Sequence, residues 1–253
     1  MSGFVDALSL LTRVPVRARG EDVALGRAVP WFPVVGAAVG ALVAGVYAGL
    51  VQLLPPLPAA AVAALAGAAM TGAFHEDGLG DVADAFAGGW TKERRLEILD
   101  DPRLGTFGVL AVAGAFVIRT GALASLGAAD ALALLPAAHA LSRAGAIALM
   151  RSLPPAAPGS LGATYASAVT PNGAVAALAA AVAIGAALIG GWVVAAVALC
   201  AAAAIAMGAL ARAKIGGISG DVLGATQQVA ELAVLLMGAA VVQKGWPALA
   251  WWS

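Results

Sequence analysis

PNGAVAALAAAVAIGAALIGGWVVAAVALCAAAAIAMGAL, residues 171–210, contains no charged side chain. A helix rises 1.5 Å per residue, so about 20 apolar residues cross a hydrocarbon core of about 30 Å, and this run has room for two crossings. Residues 32–55 form a second uncharged run. Of the 253 residues, 62% are hydrophobic and 11% charged, against the roughly 25% charged of an ordinary soluble domain. Mean hydropathy is +0.94. A transmembrane β-barrel would show short alternating segments instead of long apolar runs. The expected fold is therefore an all-α polytopic membrane helix bundle, one integral domain over residues 1–253, in contact with the lipid bilayer.

Prolines, glycines and charges divide the chain into about seven transmembrane helices, near 31–52, 57–74, 106–127, 131–150, 172–190, 192–211 and 222–243. Before them, Phe4, Leu8 and Leu11 recur at helical spacing and Arg13, Arg17 and Arg19 follow, the pattern of an N-terminal interfacial helix. No basic n-region precedes it and Asp6 interrupts it, which argues against a signal peptide. With the N-terminus inside, Arg27, Lys92, Arg94, Arg95, Arg103, Arg151, Arg212 and Lys214 also fall on the cytoplasmic side, and Lys244 alone lies opposite. The positive-inside rule then orients the chain in the inner (cytoplasmic) membrane with loops 75–105 and 212–221 facing the cytoplasm. Fourteen basic residues balance fourteen acidic ones, so no overall field recruits nucleic acid. The single cysteine, Cys200, lies in an apolar run and excludes an intrachain disulfide. Trp246, Trp251 and Trp252 read as anchors at the outer interface.

Against this background FHEDGLGDVADAF, residues 74–86, is anomalous. Asp77, Asp81 and Asp84 stand at i, i+4 and i+7, which places three carboxylates on one helical stripe, where they repel unless something positive neutralises them. Oxygen-only donors of this kind suit Mg²⁺ or Mn²⁺. The alternative is a solvated acidic face. Lys92, Arg94, Arg95 and Arg103 follow, with Gly105 and Gly108, whose missing Cβ lets backbone amides approach a phosphate. A second stretch, ARAKIGGISGDVLGA, repeats the combination with Arg212, Lys214, Gly216, Gly217, Gly220 and Asp221. Neither is a Walker loop.

FVDALSLLTRVPV (4–16), WFPVVGAAVG (31–40), HEDGLGDVADAFAGG (75–89), RRLEILDDPRLGTFG (94–108) and GGISGDVLGATQQVAEL (216–232) together resemble the cobalamin synthase (adenosylcobinamide-GDP ribazoletransferase) family, in order and over nearly the whole chain. The resemblance implies a magnesium-dependent membrane enzyme that joins adenosylcobinamide-GDP to α-ribazole or its 5′-phosphate and releases GMP. The family's acidic stretch falls on His75, Asp77, Gly78, Asp81 and Asp84, its later acid on Asp101, and its Gly-Asp pair on Gly220 and Asp221. Asp77, Asp81 and Asp84 are then the metal ligands. Asp101 or Asp221 completes the site or takes the hydroxyl proton, and His75 is a further candidate base. Two positions depart from the pattern, Ala85 in place of glycine and Asp100-Asp101-Pro102 in place of Lys-Asp-Ser. The lost lysine leaves Arg94, Arg95 or Arg103 to meet phosphate charge. Glu76 lies off the stripe and reads as solvated.

Arg119, His139, Arg143 and Glu231 interrupt apolar runs, where an unpaired charge costs roughly 2.5–3.5 kcal/mol. Either they pair with one another, Glu231 with Arg119 or Arg143, or they line a polar cavity, in which Arg143 is the better phosphate ligand. Two other classes also fit in part. A CDP-alcohol phosphatidyltransferase would bind metal through spaced aspartates, but Gly78 is followed by Leu79-Gly80-Asp81 and not by the Ala-Arg continuation. A secondary transporter would carry its polar site near the midplane between repeated halves. The sequence leaves a homo-oligomer open.

Overall fold

A computed structural model describes residues 3–16, 24–159 and 161–252. Arg17 and Arg19, placed by the sequence at the basic end of the first helix, lie outside the described residues. Among the described residues twelve α-helices follow in order: α1 (Gly3–Leu11), α2 (Leu25–Ala28), α3 (Phe32–Leu50), α4 (Pro56–Thr71), α5 (Phe74–Gly88), α6 (Lys92–Leu99), α7 (Thr106–Ala124), α8 (Ala128–Ser152), α9 (Leu161–Ala168), α10 (Pro171–Ile189), α11 (Val193–Ile215) and α12 (Gly220–Gln243). Among the described residues the only β pairing is an isolated parallel bridge between Pro155 and Ile218. The all-α membrane bundle is as expected.

A count of seven spans is not confirmed. By length and apolarity five segments qualify, Leu25–Leu50, Thr106–Ala124, Ala128–Ser152, Pro171–Ile215 and Gly220–Gln243, with a sixth if α4 and α5 are one broken span. Two local causes account for the difference. Residues 171–215 run on with only the 3₁₀ turn Gly190–Trp192 between α10 and α11. The helix expected over 57–74 stops at Thr71 after 16 residues, and α5 leaves it at 92°. Gly72 (φ +72°) ends α4 in the left-handed region, Ala73 N–H bonds back to Ala68 O at 2.7 Å, and Ala73 is itself left-handed at φ 57°. Two successive left-handed residues turn the chain sharply, and the alanine bears the strain.

Contacts at the two ends show how the chain alternates. At the end carrying α5 and α6, Arg13 N–H bonds Met70 O, Arg95 bonds Lys214 O and Gly105 N–H bonds Asp84. At the far end Tyr47 O–H bonds Leu126 O, Trp192 Nε1 bonds Pro247 O and Trp251 Nε1 bonds Ala187 O. The Gly190–Trp192 turn therefore sits at the far end, and the 171–215 run folds back on itself. Trp192 stacks on Trp246 with ring centroids 5.7 Å apart there.

Helix α8 is the central post, buried on nearly every side. It accepts α3 at close range because α3 presents glycines: a Cβ on Gly40 would stand 2.5 Å from Leu135 O, and one on Gly36 2.6 Å from His139 O. Helix association in lipid depends on such close approach, since lipid tails supply no hydrophobic drive. Helix α1 docks on the loop end, with Ala7 and Leu11 buried, Phe4 edge-on to Trp31, and the buried Asp6 carboxylate 3.5 Å from Arg27 Nη2.

Candidate active site

Helix α5 places its acids as the spacing predicts. At about 100° per residue, Asp77, Asp81 and Asp84 fall within roughly 60° of one another. Asp77 is exposed, Asp81 half-buried and Asp84 buried. Asp221, at the start of α12, joins them: a Cβ on Gly78 would lie 2.8 Å from Asp221 O, so α5 and the first turn of α12 touch through a glycine. Asp77, Asp84 and Asp221 all act on Asp81 with like charge, and no basic side chain acts on it appreciably. Asp84 has a structural tie as well. Its Oδ2 accepts the Gly105 N–H at 2.7 Å, an anion at the N-terminus of α7, where the helix dipole favours negative charge. Ser219 caps α12, accepting the Val222 N–H, and its hydroxyl donates to Asp221 Oδ2 at 3.2 Å.

No three carboxylates or imidazoles among the described residues stand close enough to form a ready cage for a metal. The donor set nevertheless fits a hard cation that keeps much of its water. Asp81 is a carboxylate crowded by like charge, with Asp77 and Asp221 beside it, and magnesium typically takes one or two carboxylates plus waters and phosphate oxygens.

The basic residues divide by what they touch. Lys214 Nζ donates to Phe86 O at 3.3 Å, and the Lys92 ammonium stands beside Gly216, 3.1 Å from where a Cβ would be. These two lie near the acidic helix. Arg95 is a brace: Nη1 donates to Lys214 O and Nη2 to Trp90 O, tying α6 to the end of α11. Arg94 pairs with Glu97 on the exposed face of α6. Arg103 grips Asp101 bidentately, Nε to Oδ1 at 2.9 Å and Nη2 to Oδ2 at 2.6 Å. Those bonds hold the Asp101 carboxyl down at about 2 and push the Arg103 guanidinium up. A carboxylate so held is a weak proton acceptor at neutral pH.

The glycines acquire specific reasons. Gly216 (φ +84°) ends α11 in the left-handed region. Gly217 makes room for another backbone: its Cβ would collide with the Pro154 carbonyl, where Ile218 N–H bonds Pro154 O and Ala156 N–H bonds Ile218 O. Gly105 and Gly108 accommodate the Asp84 carboxylate, which a Cβ on either would strike.

His75 faces the other way. It lies about 200° around α5 from Asp77, buried, its ring edge-on to Phe74. There it meets a buried polar network. Arg119 Nε donates to Glu231 Oε1 at 3.2 Å and Arg119 Nη2 to Gln228 Oε1 at 2.5 Å. Gln227 Nε2 donates to Glu231 Oε2 at 2.6 Å and to Ser142 Oγ at 3.1 Å. Arg143 Nη1 donates to His139 O at 2.9 Å, and the His139 ring nitrogen Nδ1 lies 3.4 Å from Glu231 Oε2. Glu231 thus pairs with Arg119. Glu76 is not solvated as its place off the stripe suggested: it is mostly buried, with Oε1 3.9 Å from Arg119 Nη1. Gln227, Gln228 and Ser142 carry the network and were not singled out from sequence, although two adjacent glutamines followed by Glu231 in an apolar helix are a readable signal.

The model of the cobalamin-5-phosphate synthase family matches residues 3–239. A protein of Bradyrhizobium diazoefficiens named adenosylcobinamide-GDP ribazoletransferase is 42% identical over 247 residues, covering 92% of each chain. Proteins of the same name from Brucella canis and Brucella melitensis are 41% identical over 252 residues, covering 92% of this chain and 94% of theirs. No solved structure matches the chain. By the extent of these matches, the chain belongs to the cobalamin-5-phosphate synthase family.

Proposed function

We propose that the protein transfers ribazole: the ribose hydroxyl of α-ribazole, or of its 5′-phosphate, attacks the cobinamide-linked phosphorus of adenosylcobinamide-GDP. A new P–O bond forms, the P–O bond to GMP breaks with its electron pair leaving on GMP, and the hydroxyl proton passes to a carboxylate or water. Proteins accelerate such substitutions mainly by positioning and charge neutralisation. The observation that carries this reading is the meeting of Asp77, Asp81 and Asp84 with Asp221 beside Lys214 and Lys92, from segments more than a hundred residues apart.

Magnesium held by Asp77 and Asp81, its remaining positions filled by water and substrate phosphate oxygens, would neutralise phosphate charge and acidify the attacking hydroxyl, with Asp84 tied to the Gly105 N–H beside them. Asp221, anchored through Ser219, is the better placed group to receive the hydroxyl proton, since Asp101 is engaged by Arg103. Lys214 and Lys92 bind the diphosphate. Arg94, Arg95 and Arg103 serve the fold of the loop more than the substrate. The site faces the cytoplasm from the inner membrane, in keeping with the crowding of arginine and lysine at this end.

The test is GMP release from adenosylcobinamide-GDP by detergent-purified protein given α-ribazole and magnesium. Asp81→Asn should insert and fold yet lose most turnover. No GMP from the wild-type protein, or full turnover in Asp77→Asn, Asp81→Asn and Asp84→Asn alike, refutes the assignment.

A further inference from the structure

Two hollows on the outer side of the bundle lie clear of the acidic residues and of the buried network. One, of about 430 Å³, opens between α8 and α11 and is walled by Leu149, Leu153, Ile205 and Gly208, with Ser152 and Arg212 at one end. The other, of about 130 Å³, is walled by Leu141 of α8, Leu178 and Val182 of α10, and Val197 and Cys200 of α11. Ala148, Ala201 and Ala204 line both, so the two form one groove. Ile205 on its rim is 72% exposed, and the groove opens sideways to lipid there. From Val197 to Arg212 α11 rises about 22 Å at 1.5 Å per residue. One leaflet is half of a hydrocarbon core of about 30 Å, so the groove takes one acyl chain with its head group outside. The Arg212 end is the end that carries the acidic helix, since Lys214, in the same turn as Arg212, donates to Phe86 O.

We propose that this groove binds one anionic phospholipid of the leaflet on the acidic-helix side, its chain along α11 and its phosphate on Arg212. Arg212 is exposed and has no hydrogen-bond or ion-pair partner among the described residues. A guanidinium above an apolar groove matches a phosphodiester above an acyl chain, and its planar fork suits phosphate oxygens. Among the described residues neither hollow is lined by a carboxylate, so the ammonium of a zwitterionic head group finds no partner while the phosphate does. The size of the groove decides against a helix of a second copy. A helix about 10 Å across fills roughly 400 Å³ in a single turn, so none enters over the depth of a leaflet, whereas a hydrocarbon chain is thin enough. A lipid held there steadies the end of α11, where Arg95 bonds Lys214 O and Lys214 bonds Phe86 O.

The test is lipid binding to the full-length protein in detergent, read by native mass spectrometry and by thermal unfolding. Phosphatidylglycerol should bind about fivefold more tightly than phosphatidylethanolamine with the same chains, the amount one basic residue contributes beside a membrane surface. Arg212→Gln should bring the two lipids to parity and Arg212→Lys should keep most of the preference, whereas Arg94→Gln, on the exposed face of α6, should leave it unchanged. Ala201→Phe, which plugs the join of the two hollows from an exposed position, should weaken both lipids about tenfold or more. Glycerol phosphate, a head group without chains, should raise Tm far less than phosphatidylglycerol does. Equal binding of the two lipids by the wild type, the same loss in Arg94→Gln as in Arg212→Gln, unaltered binding in Ala201→Phe, or a glycerol phosphate effect matching that of phosphatidylglycerol overturns the proposal. A dimer that Ala201→Phe turns into a monomer overturns it as well and gives the groove to a second copy.

Discussion

Replacing Glu231 by Gln keeps the shape of a side chain that is 3% exposed and deletes one of the two carboxylates facing Arg119 and Arg143. The new amide hydrogens would also confront Gln227 Nε2, a donor 2.6 Å from the present Oε2, or Arg119 Nε, a donor 3.2 Å from Oε1. Removing one partner of a buried ion pair costs about 3–5 kcal/mol. The insertion scale gives a similar figure, roughly 2.5–3.5 kcal/mol for an arginine left unpaired in a membrane interior. For a domain of this size 1 kcal/mol moves the melting midpoint by about 2–4 °C, so Glu231→Gln should lower Tm in detergent by roughly 10 °C. Arg119→Met with Glu231→Gln should be milder than the two losses added, by about 1–3 kcal/mol, because the double variant leaves neither charge stranded. The assay is a thermal unfolding scan of purified wild type, both single variants and the double variant in one detergent at one scan rate. Strict additivity, or a single variant melting within about 2 °C of wild type, would falsify the claim that these charges are mutually paired.

Gly217→Ala should lower stability by about 1–3 kcal/mol through collision with the Pro154 carbonyl, and kinetics on the surviving folded fraction should show both substrates equally affected; a selective loss for adenosylcobinamide-GDP would restore the phosphate role its sequence suggests. Gly105→Ala should drive Asp84 from its bond to the Gly105 N–H, lowering turnover together with Tm, and unchanged values of both would refute the contact. The folded Asp101 carboxyl is depressed to about 2, so its contribution to the loop is complete above the unfolded value near 3.9 and is lost as pH falls toward 2. Asp101→Asn should therefore leave the shape of the rate profile between about pH 5 and 9 unaltered, and the disappearance of an ionisation from that profile would make Asp101 the base after all. A reporter fused after Lys92 and one at the C-terminus should report opposite sides, as the alternation of end contacts requires.

Much of the architecture is legible because lipid removes alternatives: uncharged runs must be helical, and their breaks at proline, glycine and charge are the connections. The bend at Gly72-Ala73 is not legible in the same way. Glycine announces a helix end, but nothing in the residue type of Ala73 says that it adopts φ 57°. The stripe of Asp77, Asp81 and Asp84 follows directly from helical spacing, whereas Asp221 enters their field only through the contact of Gly78 with α12. Loop arginines are ambiguous in sequence because brace and ligand have the same composition. Arg95 is engaged by two carbonyls and Arg103 by a carboxylate, contacts that depend on where α11 ends and how residues 101–103 turn.

The buried charges bear on the carboxylates through one short helix. His75 and Glu76 point from the first turn of α5 into the bundle, and Asp77 points out of the next position. Helix α5 leaves α4 at 92° through two left-handed residues. Its rotational setting is held by Arg119 on Glu76, by Gly78 against Asp221 and Gly224 of α12 against His75, and by Asp84 on the α7 N-terminus. A turn of one residue would move the acidic stripe by about 100°. The Arg119–Glu76 contact is thus one of the restraints on the angle at which Asp77 and Asp81 stand to Asp221, and Glu231→Gln, which takes away the other carboxylate bonded to Arg119, is expected to reduce turnover even at temperatures where the variant remains fully folded.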